Sequence, residues 1–276
     1  MSNIHPSAVV EPGAKLGKNV TIEPFVVVKE NVTLGDNVVL KSHTYIDGHT
    51  TIGDGTVIYP GASIGTKTQD RKFQGETTYV RIGKNCEIRE YVTINSSSEE
   101  GSVVSVGDDC LIMAYCHIAH HCKIGNDVIM ANCAMLAGHV EIEDHARIGG
   151  MTPIHQWVRI GSHAMVGGLS RITNDIPPYT IGAGIPYKMG GLNLIGLKRH
   201  EFSLDVRKDL SKAFKLIYRS NLNFNDAIGQ IESELSGREE VRHWLDFCKK
   251  SKRGLIGLQE AASEAGISSA GDYLEE

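Results

Sequence analysis

No apolar run in this chain approaches the length needed to cross a bilayer, and the opening MSNIHPSAVV lacks the charged start and apolar stretch of a secretory signal. No integral membrane segment is therefore expected, and a cytoplasmic protein is. Basic excess is missing too. Lys and Arg number 28 against 33 Asp and Glu, a net charge of −5, which argues against a nucleic-acid partner. The six cysteines follow no pairing pattern, so disulfides are not expected. Also absent, up to Ile172, is a simple helical or strand periodicity.

What stands in its place is a period of six. From Ile4 to Ile172 the register that starts Ile4, Val10, Leu16, Ile22 holds 29 positions, and 26 of them are apolar. A chain 41% hydrophobic would fill about 12 by chance, so the period is a property of the fold. Asp70, Glu76 and Glu100 are the exceptions. Four residues after each aliphatic comes a small or β-branched side chain (Ala8, Ala14, Val20, Val26, Val32), and one residue after it comes, often, a glycine (Gly17, Gly35, Gly53, Gly65, Gly83, Gly107, Gly125, Gly161). These glycines are expected to supply unusual backbone angles at bends. A short strand followed by a sharp corner fits this pattern, and three such hexad sides close one triangular coil. Coils should stack at the inter-strand spacing of about 4.8 Å.

The stretches 67–78 (KTQDRKFQGETT) and 96–101 (SSSEEG) put charge or polarity where the wall needs apolar groups, and are expected to leave it as loops. Beyond Pro177, Pro178 and Pro186 the pattern turns helical. Ser203 reads as the N-cap of a helix carrying Val206, Leu210, Phe214 and Ile217, with further helices over 225–235 and 238–250. The division expected is a β-solenoid over 1–187, a helical cap over 188–258 and a flexible tail over 259–276.

Phase around the triangle locates the chemistry. His117, His120, His121, His139 and His155 crowd one edge over about three coils, while His145 and His163 stack at another edge and read as surface residues. Gly138 and then Gln156 follow His120 one and two coils on, and so sit above it. A glycine there leaves a bare backbone N–H beside an imidazole: a base below and an oxyanion donor above, as acyl transfer requires. Tyr115, Cys133, Met151 and Leu169, with Leu111, Ile129 and Met165 beside them, form an outward apolar strip on the adjacent wall. Such a strip is expected to pack on another subunit, and a triangular prism suits a trimer. Cys110, Cys116 and Cys122 face the axis among aliphatic coils with no entry path, so no metal is expected there.

The motifs HIAHHC (117–122), LAGHV (136–140), IGGMTPIHQWVRIG (148–161) and DIPPYTIGAGIPY (175–187), with TQDRKFQGE, NLIGLKR and KRGLIG, resemble the acyl-carrier-protein:UDP-N-acetylglucosamine O-acyltransferases of lipid A synthesis, closest to the chlamydial type. The resemblance covers the chain to about Gly257. It implies a left-handed parallel β-helix with a C-terminal α-helical domain. It also implies transfer of an (R)-3-hydroxyacyl chain from acyl carrier protein to the 3-hydroxyl of UDP-N-acetylglucosamine, as a homotrimer and without a cofactor of its own. Residue by residue, it makes His120 the general base and Gly138 the oxyanion donor. His117, His139, His155 and Gln156 fall around the sugar and thioester, Asp70 and Lys72 contact the sugar nucleotide across the subunit cleft, and Asn193 and Arg199 contact nucleotide or phosphopantetheine. Gly168 becomes the residue that ends the acyl groove. Basic Lys198 and Arg199 would attract the acidic carrier. The chain departs from the family pattern at His121, where Asp or Asn is frequent, and at Asn95, Ile195 and His200.

Two other enzyme readings compete. γ-Type carbonic anhydrases share the fold and hold zinc with an HxxxxH pair, but five residues beyond His117, His120 and His139 stand Cys122, Gly125 and Asp144. An acyltransferase acting on a 3-amino UDP-sugar is the second; a related N-acyltransferase carries an extra N-terminal domain not found here. A non-catalytic scaffold is opposed by the clustered histidines.

Overall fold

In the computed structural model, which describes residues 2–258, short strands, most of two residues, build three walls of 11, 8 and 8 strands. The first wall begins at Asn3–Ile4, the second at Val9–Val10 and the third at Lys15–Leu16, and each wall gains one strand per coil. Pairing within a wall is parallel, except for the closing strands Thr180–Ala183 and Lys188–Leu192, which form an antiparallel pair on the first wall. This is the parallel β-helix expected from the hexads, of the left-handed kind that the family resemblance implies. The second of those strands lies just past the boundary expected at residue 187, so the first wall continues into the stretch expected as cap.

The hexad aliphatics fill the axis. Ile22, Leu40, Ile58, Ile88 and Ile112 are fully or almost fully buried along one wall, and the small register packs between them. Thr44, Thr50 and Thr56 are buried there too, each donating its hydroxyl to a backbone carbonyl: Lys41 O at 2.9 Å, Asp47 O at 2.6 Å and Gly83 O at 2.8 Å. Cys122 and Cys116 sit inside as compact apolar groups; burial pushes their thiols up to about 12 and about 11. All six cysteines are free.

Coils repeat every three hexads, as in Tyr45 with Ser63, until the loops intervene. Ser63 pairs with Thr93 and Thr93 with His117, so the intervals lengthen to five hexads and then to four. The excursions thus lengthen their coils by whole hexads, two in the first and one in the second. The three exceptions to the apolar register, Asp70, Glu76 and Glu100, all fall inside them. Both excursions leave from the corner between the second and third walls, since strands end at Thr66 and Asn95 and resume at Tyr79 and Val103.

Among the glycines after the aliphatics, Gly65 has the expected left-handed φ, 77°, but the others correct the expectation. Gly17, Gly35, Gly53, Gly107 and Gly125 do not carry positive φ; the left-handed residues come two positions later, at Asn19, Asn37, Gly55, Asp109 and Asp127. Stacking is the reason for glycine: a Cβ on Gly17 would stand 2.6 Å from Gly35 O, and one on Gly107 would stand 2.6 Å from Gly125 O. At this corner, between the third and first walls, side chains also bind the coil below. The Oδ1 atoms of Asp36, Asp54, Asp108, Asn126 and Asp144 accept backbone N–H groups of Lys18, Asp36, Lys84, Asp108 and Asn126 at 2.7–2.9 Å.

Four helices form the cap: α1 (Leu194–Arg199), α2 (Leu204–Tyr218), α3 (Phe224–Leu235) and α4 (Glu239–Lys249). Ser203 caps α2 as expected, its hydroxyl accepting Val206 N–H. Val206, Leu210, Phe214, Ile231, Trp244 and Phe247 share a second core beside Tyr179 of the solenoid end. The tail expected over 259–276 lies outside the described residues.

Candidate active site

His120 and His121 occupy the corner between the second and third walls, immediately after the strand His117–Ile118. One coil above come Gly138 and His139, and above them Gln156 and Trp157. His121, His139 and Trp157 take left-handed φ values of 57°, 60° and 66°, so their side chains project from successive corner tips. Their rings stack in a column, His121 on His139 at 4.2 Å and His139 on Trp157 at 3.6 Å, with interplanar angles of 7° and 11°. The histidines of this corner, with Gly138 and Gln156, are the ones that sequence phase brings together. Trp157 escapes that reading, though its phase matches theirs.

The pairing that matters is His120 with Gly138. Gly138 is buried with ordinary φ, and a Cβ there would lie 2.5 Å from His120 Nε2, so glycine is required by the imidazole beneath it. Among the described residues the Gly138 N–H has no hydrogen-bond partner, while its carbonyl accepts Trp157 N–H at 3.1 Å. An acceptor entering this corner meets a basic nitrogen and an open amide side by side.

The two excursions fold over the same corner. Asp70 Oδ2 lies 4.0 Å from His120 Nε2 and accepts Ser98 Oγ–H at 2.9 Å. The backbone N–H of Lys72, then the Ser98 hydroxyl and the nearby His120, hold the Asp70 carboxyl below its usual range. Asp70 thus reaches His120 within a single chain. Lys72 is exposed at the loop surface. From the shorter excursion, Ser97 Oγ accepts His121 N–H at 3.1 Å, and Glu99 Oε2 lies 3.7 Å from His121 Nε2. Ser97, Ser98 and Glu99 are absent from the sequence reading of the site, although stepping the hexads back from His120 puts their loop on this edge.

His117 Nδ1 pairs with Thr93 Oγ1 at 2.7 Å, and burial, then nearby His120, lowers its pKa. His139 is pushed down to about 4 by burial and by His121 and His120, so it is neutral at physiological pH. His155 and Gln156 sit one coil higher, with Gln156 exposed. A cleft of about 880 Å³ opens beside the column, with His121, His139 and Trp157 on one side and Lys123, Arg159 and Arg253 among its basic lining.

Other expected residues stand elsewhere on the prism. Asn193 caps α1 through Gly196 N–H at 3.0 Å and donates Nδ2–H to His163 O at 3.0 Å, which ties it to the corner between the third and first walls. Arg199 is exposed in the last turn of α1. Gly168 lies at the corner between the first and second walls. That corner also carries Phe25, Tyr91, Tyr115, Met151 and Leu169, all more than half exposed. The outward strip is thus a corner column with left-handed φ at Tyr115, Cys133, Met151 and Leu169. Only Leu111, Ile129 and Met165, half-buried, lie on a wall. His145 and His163 are not plain surface residues either: they stack at 4.6 Å and meet His200 of the cap at 4.9 and 4.7 Å.

Nitrogens of His120, His121 and His139 lie within 4.8 Å of one another. The parallel stacking of His121 on His139 nonetheless aims their lone pairs side by side, whereas tetrahedral zinc needs them to converge.

A family model described as "Udp N-acetylglucosamine O-acyltransferase; Domain 2" matches residues 175–256, and one for bacterial transferase hexapeptides matches 31–66 and 104–138. The acyl-[acyl-carrier-protein]--UDP-N-acetylglucosamine O-acyltransferase of Chlamydia abortus is 53% identical over 100% of both chains. The chain belongs to this O-acyltransferase family. The enzyme of that name from Chlamydia caviae is 57% identical over 92% of each chain. Among solved structures, the UDP-N-acetylglucosamine acyltransferase of Bacteroides fragilis superposes with a TM-score of 0.89 at 39% identity, covering 92% of this chain and 99% of that one. The hydratase and 3-amino-sugar alternatives find no support in these O-acyltransferase relatives.

Proposed function

We propose that the protein transfers an (R)-3-hydroxyacyl group from acyl carrier protein to the 3-hydroxyl of UDP-N-acetylglucosamine, the first step of lipid A synthesis. The observation that carries the reading is Gly138, packed against the His120 ring with its N–H unpartnered among the described residues. In this scheme Nε2 takes the proton of the sugar hydroxyl as its oxygen attacks the thioester carbonyl carbon. The carbonyl oxygen becomes an oxyanion and accepts the Gly138 N–H. Collapse breaks the carbon–sulfur bond, and the imidazolium returns its proton to the departing phosphopantetheine thiolate. Asp70, close to Nε2, stabilises the imidazolium between these steps.

The acyl group arrives on the carrier's own phosphopantetheine, so no resident cofactor is required. His117, His139, His155 and Gln156 line the approach to the base, and Lys72 is free to meet phosphate. Asn193 and Arg199, on another edge of the prism, would meet the nucleotide or phosphopantetheine of a neighbouring subunit in a trimer. The exposed apolar corner column supports such packing. Gly168, on that same column, would then end the acyl groove. The basic groups of the cap, Lys198 and Arg199, and of the cleft suit an acidic carrier. No helix among the described residues is long and apolar enough to cross a membrane. A cytoplasmic location follows from the proposed carrier substrate.

The test is product analysis with purified enzyme, UDP-N-acetylglucosamine and a set of 3-hydroxyacyl carriers. A sugar carrying the acyl group on its 3-oxygen is expected. His120→Ala should lower kcat by about 10²–10⁴-fold with the fold retained. Full activity in that variant, or acylation of only a 3-amino sugar, would refute the scheme.

A further inference from the structure

We propose that His121 and Glu99 set the tautomer of the catalytic imidazole: His121 accepts the Nδ1–H of His120, and Glu99 keeps the His121 proton on Nε2. This rests on the reading of His120 as the base. His120 Nδ1 and His121 Nδ1 are 3.0 Å apart, a hydrogen bond in which one nitrogen must donate and the other accept. The choice decides catalysis. If His121 donates, His120 holds its own proton on Nε2 and presents no lone pair to the sugar hydroxyl. If His121 accepts, His120 is protonated on Nδ1 and Nε2 is free to act as base.

The surroundings of His121 select the second arrangement. Its Nε2 is buried without a hydrogen-bond partner among the described residues, and an N–H there would be costly unless an acceptor were near. Glu99 Oε2, at 3.7 Å, is that acceptor, and its exposed side chain can close the remaining gap. The ring itself is held: His121 N–H is bound by Ser97 Oγ, its face is stacked on His139, and it meets His120 edge-on. Other charged or titratable groups facing it are Asp70 from the longer excursion and Lys123 from the following strand. Neither lies on the Nε2 side at ion-pair distance, so Glu99 is the carboxylate that acts. No proton is relayed in the reaction; the proton taken from the sugar stays on His120 Nε2 until it passes to the leaving thiolate. His121 and Glu99 are positioning residues.

The test is a two-by-two cycle of Glu99→Ala and His121→Asp, assayed for kcat, KM and pH profile. A carboxylate placed at 121 would take the His120 Nδ1–H directly and make Glu99 redundant. Glu99→Ala, which leaves no acceptor at this position, should alone lower kcat about 10-fold, a part of the 10²–10⁴ a general base contributes, with KM for the sugar nucleotide unchanged. The acid limb should also move to lower pH. A protonated His121 can no longer accept from His120, and Glu99 favours that protonation, so its removal lets the pair survive further into acid. In the His121→Asp enzyme the same Glu99→Ala change should do nothing. His121→Asn, whose amide oxygen also accepts, serves if the Asp variant does not fold. An active wild type with Glu99→Ala indistinguishable from it, or an equal loss in both backgrounds, overturns the tautomer assignment alone. A wild type without acyl transfer overturns the parent reading and this one with it.

Discussion

Gly138 shares its corner with the imidazole of His120, so the smallest side chain is enough to disturb the site. Gly138→Ala is expected to lower kcat by about 10²-fold or more, because the new methyl would displace the His120 ring from the proposed oxyanion donor. Kinetics alongside circular dichroism would check this, with the spectrum unchanged. At this scale the sequence is informative where a role depends on phase. His117, His120, Gly138 and His139 can be brought together by counting in coils. The approach of Asp70, Ser98 and Glu99 cannot, since a loop's path depends on hydrogen bonds that periodicity does not encode. The corner glycines mislead for a related reason: a missing side chain signals either special backbone angles or a close neighbour, and only coordinates separate the two.

Elements meet at the seam between coil and cap, where His163 lies under His200 and Phe202. Burial, with His145 and His200 alongside, pushes His163 down to about 4 from 6.5. The folded state therefore resists a proton that the unfolded chain accepts, so stability is lost as pH falls from about 6.5 towards 4. Melting temperatures across that window should drop in the wild type and drop less in His163→Phe, whose ring fits among Tyr179 and Phe202. Ser203→Ala should cost about 1 kcal/mol through loss of the α2 cap, seen in denaturant titration. The helices are legible from their apolar spacing and caps, and α3 and α4 start and stop within one residue of expectation. The seam is not: nothing in linear spacing says that His200, at the end of α1, folds back onto His145, because contacts between elements of unlike period leave no common rhythm.

For the whole molecule, the hexads specify the solenoid almost completely, down to the loops at 67–78 and 96–101. An inward aliphatic every sixth residue calls for a three-sided coil, though the period does not set its hand. Subunit number is not written there. The corner bearing Tyr115, Met151 and Leu169 leaves large side chains in water, and the proposed trimer would cover them. Tyr115→Glu with Met151→Glu should reduce the mass found by light scattering from trimer to monomer, and activity should fall with it if the nucleotide contacts come from a neighbour.

Each edge of this prism has its own occupation: one gathers the histidines of the candidate site, a second presents grease, and a third ties floor to floor with carboxylates and amides. Because the chain visits the edges in rotation, three separate instructions are interleaved along it like voices in a round. A designer could therefore address one voice at a time, because each is written at positions the other two never occupy.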